Sequence, residues 1–279
     1  MTEGKEPSNQ GSAGGDASPE TSDALLALAE RLAREAGAIQ RDRYESELEI
    51  QTKSAAIDLV TEVDRQCEAL IVSGIRSERP EDAILAEEGG SREQVSADWR
   101  WIVDPLDGTV NFAHGFPRFC VSIGIEYRGR RQVAVVYDPL LDECYRAVRG
   151  QGAFLGPRRL RISNANTIGE SLVATGFAYD VHRSGADNLQ HFARMLKAAR
   201  GIRRDGSAAL DLCYVAAGRL DAYWEFKLHP WDVAAGFLIV EEAGGKVTDL
   251  AGAPVPSSGV EVVASNGAVH DEFLSLLSA

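Results

Sequence analysis

Two carboxylates, a proline and a glycine are crowded into the end of one apolar run, WIVDPLDGTVNF. Asp104 and Asp107 stand three residues apart, and such like charges repel each other unless a cation or a proton lies between them. With the backbone carbonyl of Leu106 they form an all-oxygen donor set, which suits a hard cation such as Mg²⁺. Gly108 permits close backbone approach, and a helix opening there offers N–H groups to a phosphate. The alternative interpretation is an ordinary Asp-Pro turn, in which Pro105 ends the strand.

Three further acidic segments accompany this motif. Glu87 and Glu88 end a short apolar run just before two glycines. Asp64 closes the segment DLVTEVD, and Asp232 opens a predicted helix directly after Trp231. Each has a structural alternative: a solvated turn for the glutamates, a helix cap with first-turn acids for DLVTEVD, and a capping aspartate for Asp232. Taken together, four acidic segments favour one shared metal site.

Composition limits the classes of partner. The chain has 279 residues, 44% of them hydrophobic and 25% charged, which is typical of a globular protein. The net charge is -13 and the pI is near 4.9. A broad nucleic-acid surface is not expected, because it needs clustered Lys and Arg. An acidic protein that handles an anionic substrate needs cations or backbone N–H groups to receive it, which again favours metal.

Cysteine spacing and hydropathy indicate the compartment. Cys67, Cys120, Cys144 and Cys213 lie far apart without a C-x-x-C pair, so we expect buried free thiols in a reducing compartment. No apolar run approaches the roughly 18 residues of a membrane span. The N-terminus lacks a basic region followed by an apolar core, so no secretory signal is expected. These features predict a cytoplasmic protein without a membrane contact.

The elements that must position these residues alternate between helices and strands. The Gly-, Ser- and Pro-rich residues 1–20 are predicted to be a disordered tail, and residues 21–279 a single catalytic domain. A helix is expected from Ser22 or Asp23 to about residue 44. Strands at 83–86 and 101–103 lead to the acidic motifs, and 119–139 is a predicted hairpin. Further strands are predicted near 143–148, 153–162, 171–175, 221–226, 246–249 and 261–265, and further helices near 64–75, 186–199, 208–218, 231–243 and 270–278. This order favours a layered α/β (α+β) fold with mixed sheets.

Five segments in order resemble the inositol monophosphatase family, the Mg²⁺-dependent and lithium-sensitive phosphatases. They are DLVTEVD, AEEGG, WIVDPLDGTVNF, RRDGSAALDLCYVAAGRLDAYWE and WDVAAGFLIVEEAGG. The resemblance covers residues 22–278 and is closest to the bacterial inositol-1-monophosphatases. It implies a five-layer αβαβα sandwich, a homodimer, and two to three Mg²⁺ ions, for which Mn²⁺ can substitute and which Li⁺ inhibits.

The resemblance also implies roles for individual residues. The implied metal ligands are Glu87, Asp104, Leu106 through its carbonyl, Asp107 and Asp232. The implied catalytic group consists of Glu87, Thr109 and Asp64, which together orient the attacking water. The implied substrate-binding residues are Asp107, Gly108, Thr109, Gly206, Ser207, Ala208, Glu225 and Asp232. Lys53 and Arg204 are additional candidates, Lys53 at the site entrance and Arg204 beside the sugar loop.

The expected function is Mg²⁺-dependent hydrolysis of inositol 1-phosphate or a similar polyol monophosphate by in-line attack of a metal-activated water. Relatives with the same metal core act on fructose 1,6-bisphosphate, histidinol phosphate or 3′-phosphoadenosine 5′-phosphate, and these stay open as alternatives. A second phosphate would need a cationic subsite, which Arg203 and Arg204 could supply. A non-catalytic regulatory binding protein is the alternative from another class, and the complete set of acidic residues argues against it.

Overall fold

Helices and mixed sheets alternate in layers in the computed structural model, which describes residues 18–89, 97–255 and 261–278. Elements are numbered in chain order. The helices of this part of the chain are α1 (Pro19–Arg43), α2 (Glu62–Glu78), α3 (Thr109–Ala113), α4 (Leu189–Ala198), α5 (Ala208–Ala216), α6 (Pro230–Glu242) and α7 (His270–Ser278). None of them is long and apolar enough to cross a bilayer.

The strands pair into three sheets. The first to third strands in the chain are β1 (Ile50–Thr52), β2 (Leu59–Thr61) and β3 (Ala83–Ala86), and β1 and β2 form a small antiparallel pair. The others are β4 (Trp99–Asp107), β5 (Cys120–Tyr127), β6 (Arg130–Asp138), β7 (Glu143–Val148), β8 (Gly152–Leu155), β9 (Arg158–Arg159), β10 (Leu172–Thr175), β11 (Gly201–Arg203), β12 (Ala222–Phe226), β13 (Lys246–Thr248) and β14 (Glu261–Ser265). A seven-stranded sheet has the order β3-β4-β5-β6-β7-β8-β9, and a five-stranded sheet the order β11-β10-β12-β14-β13.

Both large sheets are mixed, as predicted. In the seven-stranded sheet β3 lies parallel to β4, and the remaining neighbours are antiparallel. In the five-stranded sheet β11, β10 and β12 are parallel, whereas β14 is antiparallel to β12 and β13. Parallel pairing brings the carboxyl ends of β3 and β4 to the same sheet edge, and that is where the Glu87 and Asp104 segments meet.

Three apolar cores separate the layers. Helices α1 and α2 cover one face of the seven-stranded sheet, and α5 and α6 lie between the two large sheets. Helices α4 and α7 cover the outer face of the five-stranded sheet. Helix α6 has a run of eight buried residues from Val233 to Val240, because it meets a sheet on either side, whereas α1 buries only one stripe. This is the five-layer αβαβα sandwich that the sequence predicts.

Helix α1 begins at Pro19, earlier than the predicted start at Ser22 or Asp23. The hydroxyl of Ser18 accepts the N–H of Thr21, and the fixed φ of Pro19 suits the first turn. The predicted tail, residues 1–20, therefore extends two residues too far, because Pro19 and Glu20 belong to α1. Its residues 1–17 lie outside the described residues.

The pairing of β4 with β5 contains one extra residue in β4. Asp104 lies opposite Ser122 and Asp107 opposite Cys120, so three steps along β4 correspond to two along β5. This is a β-bulge. The prediction that the strand from Trp101 ends at Asp104, with Pro105 breaking the ladder, was wrong, because the bulge carries the strand through to Asp107. In a regular strand residues three apart point to opposite faces, and the extra residue corrects this, so both carboxylates line one cavity.

Candidate active site

A cavity of about 330 Å³ lies at the end of β4, beside the end of β12 and the first turn of α6. It brings together most of the residues that the sequence singled out. Those that line it are Glu87, Asp104, Leu106, Asp107, Gly108, Thr109, Arg204, Gly206, Ala208, Glu225 and Asp232. Asp64, Ser207 and Lys53 contact members of this set from behind or beside the cavity wall.

The carboxyl groups of Glu87 and Asp104 lie within hydrogen-bonding reach of each other. Two carboxyl groups approach this closely only when a proton or a cation stands between them. Burial raises the pKa of Asp104 well above its usual range, and the charges of Glu87, Asp107 and Asp232 raise it further. Asp104 is 2% exposed. The pair therefore calls for a positive charge at this point.

Asp107 is held from the α5 side of the site. One of its oxygens accepts the Ser207 hydroxyl at 2.6 Å and the Ala209 N–H at 2.8 Å. Burial raises the pKa of Asp107, and these donors partly offset that effect. Ser207 is 1% exposed and caps α5, so it is a positioning residue for Asp107. Ser207 itself does not line the cavity, whereas its neighbours Gly206 and Ala208 do.

Asp232 occupies the third position of α6, and the helix begins two residues earlier than the aspartate. Its carboxylate accepts the N–H of His229 at 2.6 Å, which is the capping contact that the sequence left open as an alternative. The same side chain lines the cavity. Burial raises the pKa of Asp232 well above its usual range, and the Glu87 charge adds to this. Capping and cavity lining thus coexist in one residue.

Asp64 and Thr109 meet as the resemblance implies. The Thr109 hydroxyl donates to Asp64 Oδ1 at 2.8 Å and lies 3.1 Å from the Leu106 carbonyl. The other Asp64 oxygen accepts the N–H of Thr61 at 2.9 Å and its hydroxyl at 2.6 Å, which closes a capping box on α2. Asp64 is fully buried, and burial raises its pKa. The threonine oxygen that faces the cavity is therefore fixed in orientation.

Gly108 provides the sharp step from β4 into α3. Its φ is +94°, a left-handed conformation that favours glycine, and a Cβ there would lie 2.7 Å from the Arg118 carbonyl. The chain can therefore turn directly into α3 and expose the first-turn amides, which have no partner within a helix. Because α3 spans only five residues, the free N–H groups matter more than its dipole.

Lys53 contacts the glutamates of the site directly. Its ammonium group donates to Glu87 Oε1 at 2.8 Å and also to the Glu88 carboxylate. Burial raises the pKa of Glu88 to about 7, although the lysine opposes this rise. Lys53 follows β1 at the tip of the β1–β2 hairpin, an element absent from the sequence prediction. The positive charge of Lys53 stabilises the glutamates on that side of the site, where it takes the place of a metal ion.

Glu225 lies at the end of β12 and lines the cavity opposite the β4 motif. Its Oε2 accepts the Tyr223 hydroxyl at 2.6 Å. Burial raises the pKa of Glu225 to about 7, and Arg204 opposes this rise. Gly176 makes room for the side chain, since a Cβ at that position would stand 2.0 Å from Glu225 Oε2. Gly176 and Tyr223 are positions that sequence reasoning missed: Gly176 belongs to none of the five segments, and Tyr223 lies within RRDGSAALDLCYVAAGRLDAYWE but was assigned no role.

The donor set fits a hard divalent ion. It consists of buried carboxylates and one carbonyl, all oxygen ligands of the kind that Mg²⁺ prefers. Within residues 18–89, 97–255 and 261–278, however, no three His, Cys, Asp or Glu side chains are already disposed so as to hold an ion. Protein donors occupy several of the carboxylate oxygens instead. Ser207 donates a hydrogen bond to Asp107, and Lys53 donates one to Glu87. Burial is the largest cause of the raised pKa values of Asp104 and Asp107, and for Asp104 the charges of neighbouring carboxylates add to it.

Known proteins resemble this chain along nearly its whole length. Residues 22–279 match the inositol monophosphatase family. An inositol-1-monophosphatase of Synechocystis sp. is 46% identical over 231 residues, which are 83% of this chain and 80% of that protein. A Nus factor SuhB of Pseudomonas aeruginosa is 47% identical over 235 residues, which are 82% of this chain and 86% of that protein.

The architecture matches as well. An inositol monophosphatase structure from Anabaena (Nostoc) sp. superposes with a TM-score of 0.83 at 39% identity, covering 92% of this chain and 96% of that chain. Phosphatases of this family are generally metal-dependent, in keeping with the carboxylate cluster. Sequence, layer order and site composition agree, and the chain belongs to the inositol monophosphatase family and is a phosphatase.

Proposed function

We propose that this phosphatase hydrolyses inositol 1-phosphate and similar polyol monophosphates with Mg²⁺, to which Mn²⁺ is an alternative and Li⁺ an inhibitor. The observation that carries the proposal is the approach of Glu87 to Asp104 beside Asp107 and Asp232, whose mutual repulsion bound Mg²⁺ would compensate. Glu87, Asp104, Asp107, Asp232 and the Leu106 carbonyl would hold it. When bound, Mg²⁺ supplies Lewis-acid stabilisation of phosphate oxygens and lowers the pKa of a water.

The protein residues orient the attacking water. Thr109 donates its hydrogen to Asp64, so its oxygen is left to accept a hydrogen bond from a water in the cavity. Asp64 is fixed in turn by Thr61, which prevents rotation of the acceptor. A fixed acceptor aims the water lone pair at phosphorus, and such positioning contributes much of the rate in phosphoryl transfer. Glu87 stands on the same side of the cavity and completes this catalytic group.

Phosphate and alcohol are held by different walls. The amides of Gly108 and Thr109 face the phosphate, and preorganised donors of this kind stabilise charge that develops on its oxygens. Glu225 and the backbone of Gly206 and Ala208 face the alcohol, where a carboxylate accepts hydroxyl hydrogens. A polyol offers such hydroxyls, which supports inositol 1-phosphate over a simple alkyl ester.

A bisphosphate substrate is less well supported. Among the described residues that line the cavity, the lysine and arginine side chains are Arg204 and Lys227. Lys227 is already paired with Asp180 at 2.7 Å. Arg204 is exposed, and its positive charge lowers the pKa of Glu225. Neither is placed as a dedicated second-phosphate site, so fructose 1,6-bisphosphate and the phosphoadenosine bisphosphate rank behind the polyol. Histidinol phosphate differs from both in carrying one phosphate, and it belongs in the experimental panel.

A purely regulatory binding protein would be expected to lose ligand carboxylates, and here the complete set is present. The name Nus factor describes relatives, and a binding role of this chain would have to coexist with that set. We further propose a single catalytic domain over residues 21–279, a homodimer, and a cytoplasmic location. The location is supported by four cysteines that are all free and buried, as in a reducing compartment.

Phosphate release from a substrate panel tests the proposed function. We expect inositol 1-phosphate to be hydrolysed with at least about tenfold higher kcat/KM than fructose 1,6-bisphosphate, histidinol phosphate or 3′-phosphoadenosine 5′-phosphate, a difference that one lost hydrogen-bond partner can produce. Activity should require Mg²⁺ and fall with Li⁺. Turnover that survives a chelator would contradict the metal requirement, and a bisphosphate preferred tenfold would overturn the substrate assignment.

The pH dependence of KM tests the role of Glu225. Its pKa is raised by burial to about 7, so the group is an anion above that pH and a neutral acid below it. As pH falls from about 8 to about 6, KM for inositol 1-phosphate should rise by about an order of magnitude, because a charged acceptor is lost. Glu225→Gln cannot titrate and should lose the part of this limb centred at about pH 7, leaving the part at about pH 6 that the substrate phosphate contributes. An unchanged limb in the variant would assign it to another group.

A further inference from the structure

The cavity has a second, apolar half that the chemistry of phosphate hydrolysis does not use. We define the apolar wall as Phe177, Tyr179, Val181, Leu228 and Trp231, all of which line the cavity. Tyr179 is 47% exposed, so about half of the residue remains accessible to solvent. The carboxylates and the α3 amides take the phosphate, so this wall is left to face the alcohol part of the ester.

Three members of the apolar wall come from the loop at residues 176–188, which joins β10 to α4. Asn188 closes the loop, because its amide donates to the Gly176 carbonyl at 2.8 Å while its oxygen accepts the Trp224 indole N–H at 2.7 Å. Inside the loop, Val181 N–H reaches the Ala178 carbonyl at 3.0 Å. The loop is thus tied at its base and turned within, and such a preorganised surface binds without a large ordering cost.

Lys227 links the two segments that form the apolar wall, which are the loop at residues 176–188 and the segment that follows β12. Lys227, between Phe226 and Leu228, donates to both Asp180 oxygens at 2.9 and 2.7 Å and to the Ser184 hydroxyl at 2.8 Å. Its φ is +60°, a left-handed conformation that a lysine adopts only when its surroundings hold it there. These contacts of Lys227 hold the loop against the segment that follows β12. Tyr179 and Val181 of the loop lie on the cavity side.

Such a surface rewards apolar groups and penalises hydroxyls. A hydroxyl that faces Val181 or Leu228 loses water without gaining a partner, whereas a flat hydrocarbon gains by leaving water. An inositol ring can turn a C–H face to the wall and its hydroxyls to Glu225, so the polyol remains a substrate. An ester that carries an aromatic group beyond its alcohol carbon would cover more of the wall.

We propose that the apolar wall, with Tyr179 as its central member, determines specificity and extends the substrate range to phosphate monoesters of alcohols that bear an apolar or aromatic group. The proposal deepens the proposed function and rests on it for the site of phosphate binding. It adds Tyr179 as a specificity-determining residue, and Lys227 and Asp180 as the positioning residues of its loop.

Binding of two phosphonates with Mg²⁺ tests the proposal without turnover, because their C–P bond is not hydrolysed. Propylphosphonate fills only the phosphate end, and 3-phenylpropylphosphonate adds the aromatic group. By calorimetry the wild-type protein should bind the phenyl compound about tenfold more tightly, as partial burial of one ring predicts. Tyr179→Phe should keep this ratio, and Tyr179→Ala should reduce it to about threefold or less while leaving propylphosphonate affinity unchanged. Inorganic phosphate should compete with both ligands.

Equal affinities in the wild type, a ratio retained in Tyr179→Ala, or no measurable binding of either compound would overturn the proposal. Because Tyr179 is exposed, its truncation should not unfold the protein, and circular dichroism checks this. Hydrolysis of inositol 1-phosphate is measured separately on the same preparations. Its absence in the wild type would contradict the proposed function, whereas the phosphonate ratio alone decides the role of the apolar wall.

Discussion

Asp104→Asn is expected to lower Mg²⁺-dependent phosphate release by about a thousandfold or more, since metal sites and charge-stabilising groups supply effects of that size. Asp104 is the most central carboxylate of the cluster. The negative charges of Glu87, Asp107 and Asp232 all raise its pKa, in addition to the effect of burial. Asparagine keeps the shape and the contact with the Leu106 N–H, which Asp104 Oδ1 accepts at 3.0 Å. The loss would therefore report on the charge and not on the local fold. Kinetics over a Mg²⁺ titration measures it.

The same variant should be more stable than the wild type when no metal is present. Burial holds the Asp104 pKa above its unfolded value, so the folded state binds more protons and its stability falls as pH rises through the folded pKa. Asparagine removes this dependence, and the gain in Tm should therefore be larger at about pH 8 than at about pH 5, which is close to the ordinary pKa of an aspartate.

Asp98→Asn is the matched control for both measurements, because Asp98 precedes the same strand but is exposed and paired with Arg128. It should change neither activity nor the pH dependence of Tm. A metal-free Asp104→Asn protein that melts below the wild type at about pH 8 would contradict the picture of a repulsive cluster.

Thr109→Val is expected to lower kcat by about a hundredfold, in the range that a positioned proton-transfer group contributes. Valine fills nearly the same volume but removes the hydroxyl that links Asp64 to the cavity. Asp64 would then be left with a buried oxygen facing an apolar group. Because the variant retains the carboxylates, Mg²⁺ should still raise its Tm.

Thr109→Ser provides the matched control, since it restores the hydroxyl and removes only a methyl group. We expect it to retain kcat within about fivefold, the cost of a looser rotamer. If serine lowered kcat as far as valine, the retained hydroxyl would not be sufficient for the rate, and the water-orienting role would be contradicted. Steady-state kinetics at saturating inositol 1-phosphate separates the two.

The elements that carry the carboxylates could be predicted closely, because their signals are local. The strand at 83–86 was predicted with the observed bounds, and α6 begins one residue before the predicted 231. The start of α1 was missed because the capping signal of Ser18 and Pro19 lies inside a stretch of loop-like composition. Strands β1, β2 and β11 span three residues each, too short to show a period.

The site residues divide in the same way. Asp64 and Thr109 meet as the resemblance implies, and their contact is the clearest agreement between sequence and structure. The role of Ser207 as the support of Asp107 could not be predicted, because it depends on how α5 packs against β4. The loop that supplies Tyr179 has no periodicity at all, and its position depends on tertiary contacts such as that of Lys227 with Asp180.

The extra residue in β4 has a consequence for how this motif can change. Leu106 is buried in the core and offers only its carbonyl to the site, so another apolar side chain could stand there. Removing one residue between Asp104 and Asp107 is a different matter. The strand would regain regular pairing with β5, yet every downstream position would be advanced by one. The turn at Gly108 would then be displaced from its place beside the Arg118 carbonyl, where a Cβ would lie only 2.7 Å away. The motif therefore tolerates another apolar residue at position 106 but does not tolerate the loss of a residue between Asp104 and Asp107.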